Sequence, residues 1–122
     1  MDVLLYIAAA LIGVWGLAHL VATSGVVVGF GELSADNRRI IAMEWVVEGV
    51  ALLSLGALVA AVTATGSGDA TASAAYAVAV VTLLVLAVVS LFTGFRIAFL
   101  PFRLCPFIFA VSALLIALGA WL

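Results

Sequence analysis

Long apolar stretches without a charged residue alternate along the chain with short polar connections. These stretches cover residues 3–31, 49–68, 70–95 and 104–122. A bilayer hydrocarbon core of about 30 Å is crossed by roughly 20 helical residues. The pattern therefore predicts an all-α, polytopic membrane protein, a bundle of four transmembrane helices without β-sheet.

The second apolar stretch is shorter than it first looks, because after Val62 it changes into the linker-like sequence Thr-Ala-Thr-Gly-Ser-Gly. The remainder, residues 49–62, is too short to cross a bilayer. The second helix must therefore begin near Arg39 and include Glu44 and Glu48. We predict a single transmembrane domain, residues 1–122, with helices over about 3–23, 38–63, 73–98 and 102–122.

Several helix ends have their own signals. Residues 23–31 either extend the first helix or turn along the membrane interface, and the turn is favoured. Asp36 is the expected N-cap of the second helix. Pro101 and Pro106 predict a tight turn before the fourth helix, with Cys105 as an alternative first residue.

The composition excludes a soluble domain. Hydrophobic residues make up 69% of the chain and charged residues 8%, against about 45–50% and about 25% in average globular proteins. The net charge of −2 provides no basic face for nucleic acid, and the single Cys excludes a disulfide framework. The expected partner is therefore the lipid bilayer.

Charge placement predicts the orientation. All four cationic residues are Arg and fall in the first and third connections, at positions 38, 39, 96 and 103. Positive charge is retained on the cytoplasmic side of membrane spans, so both termini are expected outside. Tyr6, Tyr76 and Trp121 would then lie at the outer interface, where aromatic rings are enriched.

The polar residues within the spans define a candidate site. Glu44 and Glu48 share one helix face, because they are four residues apart. Glu48 lies about 13.5 Å along the axis from Arg39, close to the middle of the hydrocarbon core. A charge there costs about 2.5–3.5 kcal/mol, so this face should point into the bundle. His19 is expected at the depth of Glu44.

Other reactive side chains fall in the same cytoplasmic half of the spans, whereas the outer half is almost entirely Ala, Val and Leu. We predict an intramembrane polar pocket open to the cytoplasm. Its candidate ligand- or proton-binding residues are Glu48, Glu44, His19, Arg96, Trp15, Trp45 and Thr93.

Each candidate also has a purely structural interpretation. His19 could bond to Glu44 or to a backbone carbonyl, and Glu44 could pair with Arg96 across the bundle. The two Trp residues could serve packing alone, and Cys105 is expected to be inert. Glu48 has no cation within its own helical turn, so it is either protonated or partnered by a ligand.

Two segments carry a resemblance to a known group: Gly16-Leu-Ala-His19 and Asp36-Asn-Arg-Arg-Ile-Ile-Ala-Met-Glu-Trp-Val-Val-Glu-Gly49. They are similar to small four-helix prokaryotic membrane proteins, loosely the DoxX-like group. The resemblance implies a multi-pass protein of the prokaryotic plasma membrane. It carries over no catalytic residue and no cofactor.

We therefore predict a membrane protein in which Glu48, Glu44 and His19 bind a small lipophilic ligand, a cation or a proton, with Arg96 balancing the charge. The same carboxyls would suit a proton-transfer enzyme such as an isomerase, and one His with two Glu would suit Zn or Mn. Enzyme activity and cofactor stay open. The alternative is a non-catalytic accessory subunit of a larger membrane complex, or a homo-oligomer, since small residues allow close helix packing.

Overall fold

The computed structural model describes residues 2–66 and 68–122. Within these ranges the elements are α1 (Asp2–Gly29), α2 (Ala35–Ala64), α3 (Ala70–Phe92), a short 3₁₀ helix (Gly94–Arg96) and α4 (Leu100–Trp121), with no strand. Each α-helix is long and apolar enough to cross a membrane. The prediction of an all-α protein with four candidate spans is confirmed for the described residues.

Helix α1 is longer than predicted. It continues past residue 23 to Gly29, so the expected interfacial turn is wrong. The extra turns pack against the bundle through Val27, which is buried, and within them the Thr23 hydroxyl donates to the His19 carbonyl at 2.9 Å. The chain leaves the helix at Gly31, whose φ of +78° is readily adopted only by glycine.

Helix α2 begins at Ala35 with Ser34 as its N-cap, and the expected Asp36 cap is wrong. The Ser34 hydroxyl accepts a hydrogen bond from the Asn37 backbone N–H at 3.1 Å. Asp36 lies in the first turn instead, where its carboxylate is 3.3 Å from Arg39. Ser and Asp have similar capping preferences, so residue type alone does not choose between neighbouring positions.

The connection between α3 and α4 also differs from the prediction. Helix α3 ends at Phe92 rather than residue 98, and the 3₁₀ helix follows. Helix α4 begins at Leu100, earlier than residue 102 or Cys105. Pro101 is tolerated in this first turn, because the N–H that it lacks has no intrahelical partner there, whereas Pro106 lies inside the helix.

Glycine residues bring the backbones of α1 and α2 into direct contact. A Cβ atom on Gly16 would lie 2.7 Å from the Leu53 nitrogen and 2.8 Å from the Gly49 oxygen. Further along, a Cβ on Gly56 would lie 2.7 Å from the Ala9 oxygen. These distances are too short for any side chain, so glycine at these positions sets the separation of the helices.

The helices are arranged in the order α2, α1, α4, α3, because α1 packs on both α2 and α4, and α4 packs on α3. Few contacts join α2 to α3. One of them is a hydrogen bond between Thr63 Oγ1 and Tyr76 Oη, 3.0 Å apart and buried. Tyr76 therefore lies inside the bundle, and its expected level at the outer membrane interface stays a prediction. The other side of the bundle remains open between α2 and α3.

The start of α1 and the end of α4 lie at one end of the bundle. There the Trp121 indole N–H donates to the Ser73 hydroxyl at 2.9 Å and joins the end of α4 to the start of α3. Asp69 caps α3 at the same end by accepting from the Ala72 N–H at 2.9 Å. The core between the ends consists of fully buried apolar side chains from every helix: Ile12, Val59, Leu83 and Ile116.

The glycine contact yields a first prediction. Gly16→Ala should destabilise the protein by about 1–3 kcal/mol, because the new methyl group meets backbone atoms that cannot rotate away. Gly13→Ala on the same helix is the matched control, since its Cβ would have nothing within 4 Å. Reversible unfolding in mixed micelles measures both. Equal stability of the two variants would contradict the packing described above.

A second prediction concerns the contact between α2 and α3. Tyr76→Phe should lower the free energy of unfolding by about 0.5–1.5 kcal/mol, because it removes the hydroxyl that meets Thr63. Tyr6→Phe is the control, since Tyr6 is exposed at the same end of the bundle. The same unfolding measurement applies, and an equal loss in both variants would show that the buried bond contributes nothing.

Candidate functional site

A histidine of α1 and a carboxylate of α2 form the centre of the site. His19 Nε2 lies 3.4 Å from Glu48 Oε1. Only 6% of His19 is exposed, whereas the Glu48 side chain is 46% exposed. The glycine contact produces this pairing, because Gly16 lies one turn before His19 and Gly49 follows Glu48 directly. Of the two partners considered for His19, the backbone carbonyl is found, and the carboxyl that faces the ring is Glu48 rather than Glu44.

The second ring nitrogen of His19 determines how many protons the pair holds. His19 Nδ1 lies 3.0 Å from the Trp15 carbonyl oxygen. A carbonyl oxygen only accepts, so Nδ1 carries a hydrogen and Nε2 is left to face Glu48. That contact is favourable when a single proton lies on either Nε2 or the carboxyl group. Without this proton, the Nε2 lone pair would face the negatively charged Glu48 carboxylate.

Aromatic rings enclose the imidazole. Trp45 stacks on His19 with the ring centroids 4.7 Å apart and an angle of 26° between the planes. Trp15 meets His19 edge-on, with the ring centroids 6.1 Å apart. Phe102 of α4 packs on Trp45, with the ring centroids 5.4 Å apart. The predicted neighbours Trp15 and Trp45 therefore do lie beside His19, where they hold the imidazole in position.

A first cavity, of about 220 Å³, lies between α1 and the start of α4. We call it the α1/α4 cavity. Ala18, Ala22 and Val26 of α1 form one wall, and Phe99 and Leu104 lie opposite. These side chains are all apolar, so the cavity suits hydrocarbon rather than a charged group.

A second cavity, the α2/α3 cleft, has a volume of about 340 Å³. Glu48 lines it from α2, Ser90 from α3 and Phe109 from α4. It lies where α2 and α3 diverge. The cleft and the α1/α4 cavity share four lining residues, His19, Trp45, Phe102 and Cys105. The imidazole and its aromatic neighbours thus form a wall between the two spaces.

The hydroxyl groups that line the cleft donate their hydrogens to backbone carbonyls of α3. Ser90 donates to the Leu86 carbonyl at 2.7 Å, and Thr93 donates to the Val89 carbonyl at 2.7 Å. Each hydroxyl has a single hydrogen, so towards the cleft these oxygens can only accept. The Cys105 thiol faces the Pro101 carbonyl at 3.6 Å in the same way.

Two predicted site residues lie away from the centre. Glu44 is exposed and forms no hydrogen bond or ion pair within the described ranges, and it does not line the cleft. Arg96 is exposed in the 3₁₀ helix and is likewise outside the cleft lining. The expected pairing of Glu44 with Arg96 is not formed. Thr93, in contrast, does line the cleft.

The indole N–H groups of Trp15 and Trp45 are buried and have no hydrogen-bond partner among the described residues. Trp15 lines the α1/α4 cavity and Trp45 lines both spaces. Their indole N–H groups are therefore donors of the site whose hydrogens are not assigned.

A three-ligand metal site is not present in the part of the chain that the structure describes, where no three His, Cys, Asp or Glu side chains come together. The Zn or Mn set considered from the sequence required Glu44 beside His19 and Glu48. Glu44 is exposed and does not join that pair.

The site lies near the middle of α2 but close to one end of α3 and of α4. His19 and Glu48 are about 24–26 Å from the end that holds the termini, at about 1.5 Å per residue. Glu48 is therefore near the middle of α2, and its expected depth in the middle of the hydrocarbon core stays a prediction. The same layer meets α3 and α4 close to their other ends, at Ser90 and Cys105.

Sequence reasoning missed the aromatic contribution of α4. Phe102 and Phe109 line the cleft, but in so apolar a chain a Phe carries no contrast with its neighbours. Arg103 was assigned to topology alone, yet its guanidinium lies 5.2 Å from the Phe95 ring centroid, a cation–π distance. Pro101, directly before Phe102, was the available signal, since it marks the first turn of α4.

Comparison of the chain with protein-family models, curated proteins and solved structures finds no match. The geometry of the site therefore carries the functional argument.

Proposed function

We propose that this protein is an integral membrane protein that binds the polar end of a small lipophilic molecule in the α2/α3 cleft. The observation that supports this most strongly is the His19–Glu48 pair at the wall of a mostly apolar space. Small-molecule sites are typically concave, mostly apolar and supplied with a few polar groups. The cleft volume of about 340 Å³ falls in their usual range of about 300–1,000 Å³.

The arrangement of α2 and α3 supports access from the bilayer. The two helices share few contacts, so the cleft opens sideways rather than at a helix end. A molecule dissolved in lipid can then reach Glu48 without crossing the packed core. The α1/α4 cavity, with its apolar walls, provides room on the other side of the imidazole for a hydrocarbon portion.

In this proposal the predicted site residues have unequal roles. Glu48 and His19 contact the polar end of the ligand, Trp45 forms the wall, and Thr93 offers an acceptor oxygen. Trp15 holds the imidazole through its carbonyl. Glu44 and Arg96 take no part, because both lie outside the cleft lining.

The proposed location is the prokaryotic plasma membrane, with both termini outside and the site towards the cytoplasm. The Arg residues support this orientation, since Arg38, Arg39, Arg96 and Arg103 all lie at the end opposite the termini. The DoxX-like resemblance remains a prediction.

Labelling of single cysteines tests the orientation. In a Cys105→Ser background, Gly68→Cys should react with an impermeant maleimide added to intact cells. Asp36→Cys should react only after permeabilisation. Both positions are exposed in the structure, so a silent position reflects the membrane rather than burial. The reverse pattern would overturn the cytoplasmic site.

Native mass spectrometry of the gently purified protein tests ligand binding. The wild type and Glu44→Gln should retain a co-purifying small molecule, whereas Glu48→Gln should lose it, because only Glu48 lines the cleft. Both variants replace a carboxyl with an isosteric amide one helical turn apart. Thermal unfolding in detergent checks that both fold.

The same spectra test the alternative function. A wild-type protein that carries no small molecule and is always found with other polypeptides would contradict ligand binding and favour an accessory subunit of a larger membrane complex.

A further inference from the structure

The chemistry of the α2/α3 cleft narrows the ligand class. Resting on the ligand-binding function proposed above, we infer that the occupant is a lipophilic cation, and that it exchanges with the single proton held between His19 and Glu48. One proton leaves the site for each cation that binds.

The first support is that the side chains of the cleft offer mainly acceptors, and that its one donor without a partner, the Trp45 indole N–H, is buried. Ser90 and Thr93 direct their hydroxyl hydrogens to helix carbonyls. Glu48 contributes carboxyl oxygens, and the His19 ring donates through Nδ1 to Trp15. A ligand that brings further acceptors would face lone pairs, whereas one that brings positive charge meets a complementary surface.

The second support is the charge of the lining. Among the described residues that line the cleft, the titratable groups are His19 from α1, Glu48 from α2 and Cys105 from α4, while α3 and the 3₁₀ helix contribute none. Neither Arg96 nor Arg103 is in this set. When the shared proton leaves, the site therefore carries one negative charge that no side chain of the lining offsets. In apolar surroundings such a charge strongly favours a cation.

The third support is the aromatic wall. Trp45, Phe102 and Phe109 line the cleft with Glu48. Aromatic faces attract cations through their quadrupole, and the effect grows when the cation is desolvated. A carboxylate beside aromatic rings suits an organic cation with apolar substituents better than a small, strongly hydrated metal ion.

The His19–Glu48 contact provides the exchange. With Nδ1 fixed on the Trp15 carbonyl, the 3.4 Å contact between Nε2 and Glu48 is stable only while one proton is present. A bound cation replaces that proton as the counter-charge of Glu48, and His19 becomes neutral. In the exchange reaction, a protonated site and a free cation become a cation-bound site and a proton in water. No bond other than the one to the proton is broken.

Benzyltrimethylammonium is the probe for this inference, because its charge is permanent and any pH dependence must come from the protein. The detergent-solubilised wild type should bind it with a change in tryptophan fluorescence, since Trp45 lines the cleft. Over the pH range in which the pair keeps its proton, affinity should rise about tenfold per pH unit. A pH indicator in weak buffer should register one proton released per cation bound.

Matched variants locate the effect. Glu48→Gln should weaken binding by about a hundredfold or more and abolish proton release, because the amide carries no charge. Glu44→Gln, one turn away and outside the cleft, should behave as the wild type. If Glu48→Gln does not fold, proton release by the wild type alone decides the matter.

The outcomes separate this inference from the function on which it rests. Neopentylbenzene, the neutral isostere in which carbon replaces nitrogen, serves as the comparison. Binding of the neutral compound as tightly as the cation, or of the cation without proton release, would overturn the exchange and leave ligand binding intact. If both variants keep a native ligand and neither probe binds the wild type, the exchange and the proposed binding function would both be contradicted.

Discussion

The contact between the backbones of α1 and α2 is the constraint on which the site depends. Gly16 and Gly49 let the helices approach until a methyl group would no longer fit. At that separation His19, one turn further along α1, reaches Glu48 across the interface. In lipid, association of helices gains little from hydrophobic burial, so close packing of small residues carries much of the stability. The same glycines therefore serve both the fold and the position of the polar pair.

The polar groups of the site form a system in which nearly every hydrogen is assigned. Thr93 and Ser90 donate back to their own helix, and His19 donates to the preceding turn of α1. Apart from the buried indole N–H groups of Trp15 and Trp45, the exception is the hydrogen between His19 and Glu48. A site with one movable proton and fixed surroundings couples that proton to whatever enters the cleft, because any new charge acts first on the one group that can change.

Hydropathy was sufficient for the helices and their number in the described chain, because spanning helices have a composition unlike any connection. It could not fix their ends, as Ser34 and Asp36 cap equally well and the Val residues near Val27 suit helix or interface. Within the site, helical spacing placed Trp15 beside His19, but the face of Glu44 and Glu48 that it turned into the bundle is exposed at both residues. It also put Glu44 rather than Glu48 beside His19, because depth estimated along one helix says nothing of how far the next is shifted. Only the glycine contact determines that shift.

The unequal helix lengths have a consequence for the membrane itself. Helices α1 and α2 are about 42–45 Å long, whereas α3 and α4 are about 33–35 Å. A bilayer whose thickness matches the shorter pair leaves the longer pair overhanging by about 10 Å, and such mismatch is relieved by tilt or by local thickening of the lipid. The level at which the α1–α2 pair extends beyond the α3–α4 pair lies next to the α1/α4 cavity, at Phe99 and Pro101. Changes in lipid composition or bilayer thickness would therefore alter the opening of this cavity without any change to the residues inside it.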